Sequence, residues 1–184
     1  MNVENVISCY VRDNGESSAV TYDTVTIAAH SIYICVDGGE NEDIAKAIFT
    51  RKSGGCGYTA ITNQSVTQNV IDETYGDTYQ VTFNRPTNPS IYVAVVASAG
   101  TSTVEDLPTA IKTAVTNYIN GLKIGGDVIL LSLAAAINAA VPGINLTSLT
   151  IGTSSGSLSS SNITIHVDEA AKTTADKITV TING

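Results

Sequence analysis

Between positions 107 and 122 the apolar residues are Leu107, Ile111, Ala114, Val115, Tyr118, Ile119 and Leu122. Steps of three and four place them on one side of a 3.6-residue turn, so the spacing predicts a helix. Pro108 suits its first turn, where a missing N–H costs nothing. Leu130, Leu133, Ala134, Ile137 and Val141 predict a second helix over 128–140, with Asp127 as N-cap and Pro142-Gly143 as the stop. A shorter stripe of Ile44, Ala45, Ala47 and Ile48 predicts a third. Asn41 is its expected N-cap. Glu42 and Asp43 in the first turn, and Arg51 and Lys52 at the end, match the helix dipole. The glycine-rich run 53–57 stops it.

Elsewhere the pattern has period two. Strands are expected over 3–11, over 25–36 with a break at Ala28-Ala29-His30, and over 65–71. Further strands are expected over 77–83, where Tyr79, Val81 and Phe83 alternate with Gln80 and Thr82, and over the apolar run 91–97. The segments 146–151, 162–167 and 178–182 complete the set. Turns are read at Asp13-Asn14-Gly15-Glu16, Gly38-Gly39 and Gly76-Asp77. The Ser/Gly stretch 152–161 reads as an exposed, mobile loop. Without a strict strand–helix alternation the expected class is α+β, with mixed and antiparallel sheets packed against helices. The composition shift at Ala99-Gly100-Thr101-Ser102-Thr103 divides the chain into two small domains, 1–98 and 99–184, the second with two helices followed by three strands.

Composition narrows the function classes. The 184 residues carry 9 basic and 17 acidic side chains, a net charge of -8. That balance argues against nucleic acid, which is bound by clustered Lys and Arg, and against docking on anionic lipid. No stretch is long and apolar enough to suggest a membrane span. The first ten residues lack the basic start and apolar run of a leader, so a cytoplasmic origin is expected. The triplets at Asn63, Asn145 and Asn162 then read as chance matches to the glycosylation pattern. Cys9, Cys35 and Cys56 are odd in number and widely spaced, so they read as structural thiols and not as a disulfide framework or zinc site.

Candidate chemistry is sparse. Gly38-Gly39 between a strand and a helix suggests a phosphate turn, but it lacks the third glycine, and Asp37, Glu40, Glu42 and Asp43 would repel an anion. The basic residues at 51–52 precede the glycines of 54–57, the reverse of a P-loop. His30 and His166 are the two histidines. Asp168 lies two residues from His166, a spacing that lets both face the same way, yet two groups do not make a metal site. No catalytic, cofactor-binding or metal-ligating residue is assigned. No small-molecule substrate is expected, and a non-enzymatic role is.

Four segments become informative together: HSIYICVDGG at 30–39 with DIAKAI at 43–48, FNRPTNPSIYV at 83–93, YINGLKIGGDV at 118–128, and VPGI at 141–144. In this order and spacing they resemble the baseplate J-like family of bacteriophage tails, over nearly the whole chain. The resemblance implies a virion structural protein, a baseplate wedge component of a contractile tail or a related contractile injection system. It implies other baseplate and tail proteins as partners, a place in the virion after assembly, and the host bacterial cytoplasm before it. Family members are longer, which implies that this chain is a C-terminal portion whose first strand continues a preceding region. The family offers no catalytic residues. An exposed strand at either end also leaves a homo-oligomer open.

A Ser/Thr-rich surface, with 24 Thr and 17 Ser, fits assembly through buried area and shape. The alternative is a glycan-binding module of a tail appendage, suggested by the same strands and by eight tyrosines. A third reading, an enzyme using His30 or His166, has the least support.

Overall fold

The computed structural model describes residues 3–52 and 54–184. The chain is α+β and gathers into two compact units. The first holds the chain up to Thr87 together with 123–125 and 166–170; the second holds 88–122, 126–165 and 171–184.

In the first unit the order is β1 (Val6–Asn14), β2 (Val20–Tyr22), β3 (Val25–Ile27), β4 (Ser31–Gly38), α1 (Asn41–Arg51), β5 (Gly57–Tyr58), β6 (Ser65–Ile71) and β7 (Thr78–Asn84). β4 is the hub. It pairs antiparallel with β1 along its length, parallel with β5 at Ser31 and Ile32, and parallel with β7 at Cys35. β6 completes the sheet antiparallel to β7. The sequence of β4 is apolar on both parities because both of its faces are covered. Ile34 and Val36 meet Ile44 and Ala45 of α1, with Val70, Val81 and Phe83. Tyr33 and Cys35 face the other way, onto Val25, Ile27, Ile124 and Ala170.

The second unit contains β8 (Tyr92–Ser98), α2 (Leu107–Asn120), α3 (Leu130–Ala140), β9 (Asn145–Gly152) and β10 (Ile178–Asn183), with a 3-10 turn at Ala175–Lys177. β8 is central, antiparallel to β9 and parallel to β10. Its inward residues Val93, Val95 and Ala97 join Ile111, Val115 and Ile119 of α2 and Leu133 and Ile137 of α3 in one core. Pro108 lies in the first turn of α2, and Asp106 accepts a hydrogen bond from the Thr109 amide, 3.1 Å, as its cap.

Four expectations are corrected. The strand at 92–98, read as the end of a domain 1–98, belongs with β9 and β10, so the first crossing between units falls at Thr87 and Asn88. The units are also discontinuous in sequence. Second, 162–167 is not a strand. Only Ile163 bridges to Val128, and two named strands, not three, follow the helices. Third, Asp127 does not cap α3. Its Oδ1 accepts from the Ile165 amide, while Asn162 Oδ1 accepts from the Leu130 amide at the start of α3, each at 3.0 Å. Fourth, Asn41 does not cap α1, because Glu40 occupies that position without a side-chain bond. Ser53, counted in the stop of α1, lies outside the described residues. Most of 153–161 is exposed, with a bridge between Ile151 and Ser159.

Candidate interaction surface

His30 occupies the turn between β3 and β4, exposed and at a φ of 47°. His166 and Asp168 do not share a partner. His166 Nδ1 lies 2.9 and 3.1 Å from the two carboxylate oxygens of Asp23. Asp23 Oδ2 also accepts from the Val167 amide at 3.0 Å. Asp168 instead accepts from Thr24 Oγ1 at 2.6 Å and from Gln64 Nε2 at 3.2 Å. The bonds from Val167 and His166 hold the Asp23 carboxyl below its ordinary range, and Asp23 raises the imidazole above its own. Together these contacts fasten residues 166–168 to the β2–β3 turn. Among the described residues no group of three or more His, Cys, Asp or Glu is placed to hold a metal ion.

The thiols are free. Burial pushes the Cys35 thiol up to about 11, and burial also raises Cys9. A buried thiol held in its protonated form is a poor nucleophile.

The Gly38-Gly39 turn has a different use from the one its composition suggests. Both glycines have positive φ, 78° and 71°. Their carbonyls turn toward Arg85, just past β7. Arg85 Nη1 donates to the Val36 carbonyl at 3.0 Å and to the Gly38 carbonyl at 2.5 Å, and Nη2 donates to Gly39 at 2.8 Å. Nε and Nη2 also reach Asn41 Oδ1. The turn therefore presents acceptors to the chain's own cation, whereas a phosphate needs amide donors. Burial lowers the pKa of Arg85, but a guanidinium stays charged. Asn84, fully buried beside it, donates to the Ile34 and Thr59 carbonyls and accepts from the Ile61 amide. A polar Asn-Arg pair ending an apolar strand is the signal in the sequence that marks this node.

One surface feature stands outside these structural networks. Between β1 and α1 lies a groove of about 600 Å³. Its sheet side is lined by Val6, Val11 and Ile34, its helix side by Ile44 and Ile48, and the end of α1 adds Arg51 and Lys52. Lys52 Nζ also sits 4.7 Å above the Tyr58 ring. The groove is apolar with a basic end, and among the described residues no carboxylate lines it. Such a cavity suits apolar groups carrying one negative charge. β1 is the last strand on that side of the sheet. Periodicity in the sequence marks β1 and α1 as amphipathic but not the gap between them.

No helix among the described residues is long and apolar enough to cross a membrane. No protein-family model matches the sequence, and neither does any curated protein.

Proposed function

We propose that this chain is a structural component of the baseplate wedge of a contractile phage or prophage tail, or of a related injection machine, working by assembly with other baseplate and tail proteins. The observation that carries this reading is the four-segment resemblance to the baseplate J-like family. Two of those segments serve one local device: Gly38 and Gly39 in the first and Arg85 in the second are joined by hydrogen bonds. The apolar groove and the β1 edge lend further support, since assembly proteins need surfaces that bury area against neighbours. In this reading the chain is made in the bacterial cytoplasm and ends in the virion.

Electron microscopy of particles produced without this gene is the test. The expected result is tails or tubes without a baseplate. Intact baseplates on normal contractile tails would overturn the proposal.

The glycan-binding reading has one specific observation in its favour. Tyr75 and Tyr79, near the β6–β7 turn, are 79% and 45% exposed. A glycan array with no saturable binding, repeated with Tyr75→Ala as control, would end it.

A further inference from the structure

We infer that the groove between β1 and α1 is self-complementary and is closed by the same groove of a second copy of this chain, across a two-fold axis. The inference stands apart from the baseplate reading, because it is tested on the isolated chain.

The two ends of the groove carry opposite charge. β1 and β4 are antiparallel, with Val6 opposite Gly38 and Asn14 opposite Ser31. α1 leaves after Gly38 and returns the chain to β5 beside Ser31, so it runs in the direction of β1. Its start lies beside Glu4: a Cβ on Gly39 would stand 3.2 Å from the Glu4 carbonyl and 3.3 Å from Ile44 Cδ1. Glu4, Glu40 and Asp43 are exposed at that end, flanking the groove without lining it. Arg51 and Lys52 line the opposite end. α1 has 11 residues, so the ends lie about 16 Å apart. Neither Glu4 nor Arg51 is in an ion pair among the described residues. Lys52 is held over the Tyr58 ring and adds its charge from that position.

A two-fold axis across the middle of the groove reverses the second copy. Glu4 of each copy then meets Arg51 of the other, so the charge pairing occurs twice, as in any isologous interface. With the two grooves parallel, Glu4 would face Glu4 and Arg51 would face Arg51, so charge selects the antiparallel form. Between the ends the surface is apolar. Val11 is 51% exposed on the β1 rim, and Val3, Val6, Ala47 and Ile48 are partly exposed. Burying them supplies the hydrophobic gain. The contact joins faces and uses no main-chain pairing, so the bulge between Val6 and Ser8 does not obstruct it. The net charge of -8 on each copy opposes association. At physiological salt, however, charges farther apart than about 8 Å are largely screened, while contacts at the two ends are not.

Sedimentation velocity on the full chain is expected to show a monomer–dimer equilibrium with a Kd on the order of 10–100 μM, the range of a small interface. Concentration-dependent amide shifts of the nitrogen-15-labelled chain are expected on residues 3–11 and on α1. Arg51→Glu and Glu4→Lys are each expected to weaken the dimer at least about tenfold, because each reversal acts at both ends. Mixed in equal amounts, the two variants are expected to restore it, since both ends then join opposite charges. Circular dichroism checks that each variant folds, and the amide shifts of the unmodified chain test the surface without any variant.

Four results would overturn the inference. One is a chain still monomeric at about 1 mM, which would leave the groove to a different protein. Another is a dimer whose amide shifts fall elsewhere. The third is a dimer indifferent to both reversals. The fourth is a pair of folded variants that stay monomeric when mixed, since the two-fold arrangement requires them to associate. None of these outcomes touches the baseplate test.

Discussion

Arg85 grips Asn41 with two of its guanidinium nitrogens, Nε at 3.2 Å and Nη2 at 2.5 Å. The same side chain gathers three carbonyls from the end of β4 and the turn after it. One residue therefore ties the end of β7 to the entry of α1. Lysine has the charge but not the planar fork, and cannot fill this set of acceptors. Arg85→Lys is expected to destabilise the first unit by roughly 2–3 kcal/mol, as hydrogen bonds to a charged group are lost. Urea denaturation with amide exchange read at β4 and α1 measures it. A change below the error of the fit would show that the node is dispensable.

Gly38 tests the same turn from the backbone side. At a φ of 78° an added Cβ is strained, and it would collide with the Asn5 carbonyl. Gly38→Ala is expected to cost roughly 2–4 kcal/mol from left-handed strain plus a backbone clash. Gly156, with open space around it and no positive φ, is the control. Gly156→Ala should stay within about 0.5 kcal/mol of the parent, as surface substitutions do.

The Asp23–His166 pair predicts a pH window. His166 is raised when folded, so its contribution is complete below about 6.5, its unfolded value, and is lost as pH rises through the folded one. Asp23 is lowered, so its contribution is present above about 3.9 and is lost as pH falls through its folded value. The pair is thus strongest between these limits. An NMR titration should place His166 above 6.5, and Asp23→Asn should return it toward that value. An unchanged titration in the variant would show that Asp23 is not the cause.

Cysteine reactivity follows burial. Cys9 is exposed and Cys35 has no accessible surface. Under native conditions at pH 8, iodoacetamide followed by mass spectrometry should modify Cys9 ahead of Cys35, though more slowly than a fully solvated thiol, because burial raises Cys9 as well. Cys35 should react only when the unit opens, because its thiol is both protonated and covered. Equal labelling of the two would contradict the packing of β4.

Legibility in the sequence was uneven for physical reasons. The strand at 65–71 and the helix beginning at Leu107 are readable because each covers one face, and the pattern of that face is local. The segment 162–167 has the alternation of a strand, yet its neighbours take its polar groups one at a time: Leu130 bonds Asn162, and Ile165 bonds Asp127. Caps were misread in the same way. Asn41 and Asp127 have capping side chains, but Arg85 and the Ile165 amide, distant in sequence, claimed them. His166 found Asp23, 143 residues away, and not its near neighbour Asp168. The groove was invisible because no single segment contains it.

By itself the sequence determined where helices and strands could form and that their mixture is α+β, since periodicity follows from side chains facing one buried side. Only the tertiary structure decided which strand β8 would pair with, where the chain passes between units, and whose partner each polar side chain became. Those outcomes depend on contacts between distant segments, and a hydrogen-bonding group in the chain carries no local mark of the residue that will satisfy it.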